Sequence, residues 1–187
     1  MGKSTLIAAF LSGHPNCRHE PEAFEILGDD IDLTDSGIPT SEGLRALLTY
    51  TASSIESHRS QDHVIFERSP VDYLGYAAAA GRAWTPGEVE EFITSCVPVV
   101  RASVQHLDLI AYLPIPSNPL IRRSGENQKI RRRVDGWLRR ILLDDEYDLF
   151  ERDQPPLIVE LPATPEDQLS RLDELASSRR LRTHRQS

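Results

Sequence analysis

Three consecutive residues near the start of the chain have the types and the order that bind phosphate. Gly2, Lys3 and Ser4 match the last three positions of the phosphate-binding loop G-x-x-x-x-G-K-[ST]. Glycine lets the backbone approach a phosphate, the lysine ammonium reaches the outer phosphates, and the serine hydroxyl holds Mg²⁺, for which Thr5 is an alternative. The helix that follows points its first N–H groups at the anion. The triplet therefore predicts a phosphate site, although it also fits an ordinary start of an amphipathic helix.

An acid and an arginine follow an apolar run in the middle of the chain. Glu67 and Arg68 come directly after residues 64–66, which read as a buried strand, and the carboxyl ends of such strands form the ligand sites of open α/β sheets. Glu67 can orient a metal-bound water or accept a hydroxyl proton, while Arg68 can hold a phosphate or carboxylate with two hydrogen bonds. The alternative is structural: an ion pair between Arg68 and Asp72 that secures the start of a helix.

Basic residues are concentrated in one segment of an acidic protein. The whole chain carries a formal net charge of −8, but residues 122–140, the arginine-rich segment, contain eight basic and two acidic side chains. This distribution predicts a localised anionic partner, whereas the net charge argues against general nucleic-acid binding. Arg139 and Arg140 fit a solvated helix face. The candidates for anion binding are Arg122, Arg123, Arg131, Arg132 and Arg133.

Apolar runs and helical patterns alternate along the chain, as in an α/β domain with a largely parallel sheet. Strands are predicted at residues 17–20, 63–67, 108–113 and 157–161. Helices are predicted at residues 3–12, 41–60, 71–80, 86–105 and 129–143, with a last one from residue 165. Residues 26–39 read as an acidic loop. We expect one domain over residues 1–176, followed by a flexible basic tail over residues 177–187.

Composition narrows the class of protein further. At 187 residues, with 39% hydrophobic and 27% charged residues, the chain suits a soluble globular protein with one core. It contains no apolar run near the ~18 residues that cross a membrane and no signal-peptide pattern, so a cytoplasmic location is expected. The two cysteines suggest reduced thiols, and neither they nor the six histidines show the spacing of a metal site.

Four stretches together resemble one family of enzymes. They are G-K-S-T at the start, E-R-S-P at residues 67–70, the arginine-rich segment, and the closing strand L-I-V-E-L at residues 157–161. In this combination the chain resembles the P-loop small-molecule kinases, most closely the AAA-type ATP-binding domains related to nicotinamide riboside kinase and more distantly the deoxynucleoside and thymidylate kinases. The resemblance implies a three-layer P-loop NTPase fold, with ATP and Mg²⁺ as cofactors and a nucleoside-like small molecule whose hydroxyl receives the γ-phosphoryl group.

The resemblance also implies roles for the residues at the two motifs. Lys3 would bind the outer phosphates of ATP, with Gly2, Ser4 and Thr5 in the same loop and Ser4 on Mg²⁺. Glu67 would contact the metal or act as general base. Glu20, in the His19-Glu20-Pro21 stretch, would lie beside the hydroxyl of the acceptor. Asp72 would either contact the acceptor or brace Arg68.

Residues 117–133 lie where the family has a lid. Its arginines would close over the transferring phosphoryl group, stabilise the charge on its oxygens and exclude water. Arg122 and Arg123 are the first candidates for this role, and Arg131 and Arg133 follow.

In this family a first strand precedes the loop and lies in the middle of the sheet, between the strands predicted at residues 63–67 and 108–113. Three explanations of its absence stay open: a start of translation upstream of Met1, a degenerate relative that closes its sheet differently, or a strand donated by a partner. Accordingly, an ATP-dependent kinase competes with a nucleotide-binding regulator or inactive NTPase. An RNA-contacting protein is a third possibility, which the net charge opposes.

Overall fold

The computed structural model describes residues 2–34, 37–61, 63–115, 128–150 and 155–183, with the backbone alone for residues 179–183. Helices and strands alternate along these ranges. The helices are α1 (Lys3–Gly13), α2 (Ala23–Leu27), α3 (Ser41–Ser57), α4 (Pro70–Ala79), α5 (Pro86–Val104), α6 (Gln128–Leu143) and α7 (Pro165–Thr183). The strands are β1 (Arg18–Glu20), β2 (Val64–Phe66), β3 (Leu109–Tyr112) and β4 (Leu157–Glu160). All four predicted strands and the predicted mixed α/β class are therefore confirmed.

The strands form two parallel pairs. In one, Arg18 of β1 lies opposite Val64 of β2, and in the other Leu109 of β3 lies opposite Leu157 of β4. The described residues thus form two sheets of two strands each, and β2 does not pair with β3. Direct pairing of the strands at residues 64–66 and 109–112 is thus not found in these ranges.

Side-chain caps determine where the longer helices begin. The hydroxyl of Thr40 accepts a hydrogen bond of 3.2 Å from the backbone N–H of Gly43 at the start of α3. At the start of α5, Thr85 and Glu88 form the reciprocal capping box that the sequence predicts, and proline occupies the first helical position. Each cap satisfies N–H groups that have no partner within the helix.

The main apolar core lies between α3, α4, α5 and α6. Its fully buried side chains include Leu44, Leu48, Leu74, Val100 and Ile141. Helices α4 and α6 approach closely at Gly75, where an added Cβ would lie 2.8 Å from a methyl carbon of Leu138. This core holds α6, which carries part of the arginine-rich segment, against the helix that follows β2.

Two predicted elements differ from the structure. Residues 26–39, predicted to be a loop, include the end of α2 and a short 3₁₀ turn at Gly28–Asp30, because Ala23 is buried and anchors this turn of helix. Residues 177–183, predicted to begin a flexible tail, continue α7. No glycine or proline follows Pro165 in this helix, and arginine and leucine favour helix. Within the described ranges, none of the helices combines the length and the apolar composition needed to cross a bilayer.

Candidate functional site

The residues of both predicted motifs line one cavity between the two sheets. This inter-sheet cavity has a volume of about 1170 Å³ and borders β2, β3 and the first turns of α1. Among the predicted site residues and anion-binding candidates, those on its wall are Gly2, Lys3, Ser4, Glu67, Arg68, Asp72, Arg131 and Arg132. Thr5 is exposed and is not among the residues on the wall. Side chains that are more than 60 positions apart in sequence are thus brought together.

The closest contact between the two motifs joins Ser4 and Glu67. The Ser4 hydroxyl donates a hydrogen bond of 2.7 Å to Oε1 of Glu67. Helix α1 holds Ser4 there because Leu6 and Phe10, two and six residues further along, are buried. Glu67 follows the last residue of β2 and is only 8% exposed. A largely buried carboxylate at the amino end of a helix is well placed to share a bound cation with the serine.

His19 lies next to this carboxylate. Its Nε2 is 3.7 Å from Oε2 of Glu67, which is beyond hydrogen-bond distance, and this nitrogen is buried without a hydrogen-bond partner among the described residues. The parallel register places His19 opposite Ile65, and the backbone N–H of Glu67 donates to the carbonyl of Glu20. The spacing of the histidines in the sequence favours structural roles, with His19 alone near the predicted site, and the pairing of β1 with β2 places it beside Glu67.

Arg68 is held from three directions. Its Nε donates to Glu22, its Nη1 donates to Asp72 over 3.0 Å, and its guanidinium lies 5.4 Å from the centre of the Tyr76 ring. Burial by itself would lower the pKa of Arg68, but Asp72, Tyr76 and Glu22 outweigh it and raise the pKa, so the side chain stays charged. Of the two roles predicted for Asp72, the structure shows the bracing of Arg68.

Asp72 also fixes the start of α4. Its Oδ2 accepts hydrogen bonds from the backbone N–H of Ser69, at 3.0 Å, and from the Ser69 hydroxyl, at 3.3 Å. Arg68 is therefore part of a cluster that joins the end of β2 to the helix after it. The structural reading of the motif, an ion pair between Arg68 and Asp72 at the start of a helix, is confirmed. The chemical role of Glu67 at the same end of the strand stays a prediction.

Glu22 and Glu25, rather than Glu20, are the acids from this part of the chain that line the inter-sheet cavity. Glu20 Oε1 accepts from Arg18 at 2.7 Å and lies 3.2 Å from Nε2 of His58, and it is not among the residues that line the cavity. Glu22 lines the cavity and contacts Arg68. The strand ends at Glu20, and the two further residues carry the chain over the end of β2, which sequence spacing alone does not reveal.

Tyr112 and Asp135 position the arginine-rich helix α6 at the carboxyl end of β3. Asp135 Oδ1 accepts from the Tyr112 hydroxyl at 2.7 Å and from the backbone N–H of Ile115 at 3.1 Å. This contact sets Arg131, one turn earlier, on the cavity wall. Burial and the neighbouring Asp135 raise the pKa of Tyr112.

The remaining predicted arginines are distributed differently. The guanidinium of Arg133 packs against Gly81, where it lies 2.4 Å from the position of an added Cβ, and it is not on the cavity wall. Arg139 forms two hydrogen bonds with Glu160, and Arg140 pairs with Glu146, as expected of an exposed helix face. Arg122 and Arg123 lie outside the described residues, as does most of the predicted lid over 117–133.

The donor set at the amino end of α1 fits a Mg²⁺–phosphate group. Mg²⁺ is held in such sites by one or two protein oxygens, with phosphate oxygens and waters completing its shell, and Ser4 and Glu67 offer a hydroxyl and a carboxylate. The first turn of α1 contains no acidic side chain, and Gly2 caps it without a side-chain acceptor. Across the described ranges, no group of three or more His, Cys, Asp or Glu residues could form a metal cage.

The chain was compared with protein-family models, with curated proteins and with solved structures, and none of these comparisons found a match. Its function is therefore inferred from the residues of the site.

Proposed function

We propose that this protein binds ATP with Mg²⁺ at the amino end of α1 and transfers the γ-phosphoryl group to a hydroxyl of a nucleoside-like small molecule. The observation that carries the proposal is the hydrogen bond between Ser4 and Glu67. It joins the hydroxyl of the Gly-Lys-Ser triplet to the strand-end acid, which are the two groups that the predicted chemistry requires at one place.

The surroundings of this pair support the same chemistry. Lys3 lies on the cavity wall next to Ser4 in sequence, and Arg131 and Arg132 of α6 line the same cavity as the buried Glu67. The amino end of α1 adds its unpaired backbone N–H groups and the positive end of its dipole. An anion with a bound divalent cation suits this combination of charges.

Each residue has a distinct part in the proposed transfer. Lys3 and the helix N–H groups would bind the phosphates, while Ser4 and Glu67 would hold Mg²⁺, which supplies charge neutralisation at the phosphate oxygens. Glu67 Oε2, which faces His19, is the candidate acceptor for the proton of the attacking hydroxyl. Arg131 would stabilise negative charge on the transferred group. Arg68 would position the end of β2 rather than contact the phosphates, because Glu22, Asp72 and Tyr76 already form hydrogen bonds with it.

We also propose that the two sheets belong to the P-loop kinase architecture. The pairs β1–β2 and β3–β4 are parallel, and the inter-sheet cavity separates their inner strands. Helix α1 starts at the same end of the cavity as the end of β2. These features match the layout in which a central strand leads into the phosphate-binding loop.

A second candidate is a nucleotide-binding regulator that does not transfer phosphate. It is favoured by the engagement of Arg68 and Asp72 with each other, since these side chains then have fewer groups to offer an acceptor.

Turnover of ATP in the presence of a panel of nucleosides separates the two candidates. For the kinase we expect ADP formation that depends on one class of nucleoside and yields a phosphorylated acceptor. Glu67→Gln should lower the rate about 10²-fold or more, since a general base contributes about 10²–10⁴-fold. The matched control is Glu91→Gln, a change of the same type on the exposed face of α5.

Two results of this experiment separate the kinase from the regulator. Mg²⁺-dependent ATP binding without any phosphorylated nucleoside would favour the regulator. ADP formation that is independent of nucleosides and equal in the wild-type chain and the Glu67→Gln variant would refute the kinase.

A further inference from the structure

Strand geometry brings His19 and Glu67 to the same face of the sheet formed by β1 and β2. In this parallel pair His19 lies opposite Ile65. The ladder continues one step beyond β2, because the backbone N–H of Glu67 donates to the carbonyl of Glu20 over 3.2 Å. Successive side chains of a strand point to opposite faces, so Ile65 and Glu67 share a face. His19, opposite Ile65, therefore lies on that face as the diagonal neighbour of Glu67.

His19 stands behind Glu67 as seen from the inter-sheet cavity. Glu67 lines this cavity, whereas His19 is not among the residues on its wall. The side chain of Glu67 is only 4% exposed, and that of His19 is 32% exposed. A ligand in the cavity would thus contact the carboxylate and not the imidazole. An effect of His19 on such a ligand has to pass through Glu67.

One ring nitrogen of His19 is buried without a hydrogen-bond partner in the described part of the chain. This nitrogen, Nε2, lies 3.7 Å from Oε2 of Glu67. A buried polar atom without a partner is unfavourable, and a carboxylate oxygen can only accept, so Nε2 would have to carry the hydrogen. A hydrogen bond of the usual length, about 2.9 Å, requires the two groups to approach by about 0.8 Å. Hydrogen bonds at catalytic sites often tighten in this way when the ligand binds.

A second donor would fix the orientation of the Glu67 carboxylate. Ser4 already donates to Oε1 over 2.7 Å. The last torsion angle of a glutamate side chain has broad preferences, so one hydrogen bond leaves the plane of the carboxylate free to turn. A donor at Oε2 defines the positions of both oxygens. It also leaves the other lone pair of Oε2 for the hydroxyl of an acceptor.

We propose that His19 is a positioning residue for Glu67. Its Nε2–H donates to Oε2 and holds the carboxylate in the orientation that binds the Mg²⁺ of the nucleotide together with Ser4. This inference rests on the proposed function, and it gives Glu67 the outer hydrogen-bond partner that metal-binding carboxylates generally have. The role needs only a hydrogen on Nε2, which the neutral Nε2–H tautomer and the cation both carry, so it is independent of the charge of the ring.

Calorimetric titration with ATP at several Mg²⁺ concentrations tests the proposal in the wild-type chain, His19→Gln and His19→Leu. Glutamine keeps an N–H donor on a side chain of similar reach, while leucine fills the space without a donor. We expect His19→Leu to weaken Mg²⁺-dependent ATP binding about 10–100-fold, the usual effect of removing an outer partner of a metal ligand. His19→Gln should bind close to the wild-type affinity. Urea unfolding of the three proteins checks that the variants are folded.

Nitrogen-15 NMR of the histidine rings gives a readout that needs neither the leucine variant nor a nucleotide. The His19 signals are assigned by their loss in His19→Gln. At about pH 8 an unperturbed histidine is neutral, so its single ring hydrogen can lie on either nitrogen. We expect it on Nε2 in His19, with a signal that shifts in Glu67→Gln. A hydrogen on Nδ1 alone would overturn the proposal.

The results distinguish this inference from the proposed function. Equal Mg²⁺-dependent binding by the wild type and His19→Leu would remove His19 from the site and leave the assignment of Ser4 and Glu67 intact. Equal weakening in His19→Gln and His19→Leu would show that the imidazole only fills space, which also contradicts the proposal. Absence of Mg²⁺-dependent ATP binding in the wild-type chain would refute the proposed function itself, and the role of His19 with it.

Discussion

At the scale of single residues, the carboxyl end of β2 combines two kinds of interaction. Glu67 contacts Ser4 across the inter-sheet cavity, and the next residue, Arg68, is fully engaged by Glu22, Asp72 and Tyr76. One residue thus faces the proposed chemistry while its neighbour secures the strand end to α4. The proposed site depends on both residues, because they are adjacent in the chain and a shift of Arg68 would also move Glu67.

Arg68→Ala is expected to destabilise the protein by about 2–4 kcal/mol, because it leaves two carboxylates unpaired in a partly buried place. This estimate is reduced from the value for fully buried pairs because the Glu22 and Asp72 side chains remain about a fifth exposed. Urea unfolding of the variant measures the loss. The control is Arg82→Ala, an exposed arginine whose loss should cost less than about 0.5 kcal/mol. Similar stability of both variants would show that the cluster is unimportant.

At the scale of elements, the turn after α4 determines how α6 approaches the site. Gly81 adopts φ +62°, a left-handed conformation that side chains disfavour, and the guanidinium of Arg133 packs directly on it. This contact keeps Arg133 on the outer side of α6, while Arg131 lies on the wall of the inter-sheet cavity. The helix thus has two arginines, Arg131 and Arg132, on the wall of the cavity and uses Arg133 in packing.

Two glycine substitutions should have opposite effects on stability. Gly81→Ala is expected to cost about 1–2 kcal/mol, because an L-residue is strained at this backbone angle. Gly136→Ala, in the middle of α6 with open space around the added methyl group, is expected to stabilise by about 0.5–1 kcal/mol. Thermal unfolding of the two variants gives the comparison. A stabilising Gly81→Ala would contradict the role of this turn.

The elements also show how far the sequence determines the structure. Capping signals and apolar periodicity predicted the helix starts at Thr40 and Thr85 and all four strands, since these depend on local chemistry. The motif residues Lys3, Ser4 and Glu67 were identified before the structure placed them together. The contacts of His19 with Glu67 and of Glu22 with Arg68 could not be predicted, because they depend on the register of β1 with β2 and on the path of the chain after β1.

At the scale of the whole molecule, the packed interior keeps several tyrosines neutral. Burial raises the pKa of Tyr73, Tyr112 and Tyr147 above the usual value of about 10. A group whose pKa is higher in the folded state stabilises the fold below its unfolded pKa, and this contribution is lost as the pH rises beyond it. The tyrosines therefore link the stability of the core to alkaline pH.

The free energy of unfolding should fall as the pH rises above about 10, by about 1 kcal/mol at pH 11 for each of Tyr73 and Tyr112. Urea midpoints measured between pH 8 and pH 11 report the slope. Tyr73→Phe should make the slope shallower, although it lowers stability at pH 8 because the hydrogen bond with Thr51 is lost. Tyr50→Phe, at an exposed position, serves as the control and should leave the slope unchanged. An identical slope in both variants would contradict the assignment to Tyr73.

The central claim is that Lys3, Ser4 and Glu67 form one Mg²⁺–nucleotide site, and calorimetric titration of the chain with ATP in the presence and absence of Mg²⁺ tests it most directly. We expect Mg²⁺-dependent binding in the wild-type chain. Lys3→Ala and Glu67→Gln should each weaken it at least tenfold, which corresponds to about 1.4 kcal/mol. Arg171→Ala, on the exposed face of α7, should bind ATP like the wild type. Binding that is independent of Mg²⁺ and equal in all four proteins would contradict the claim.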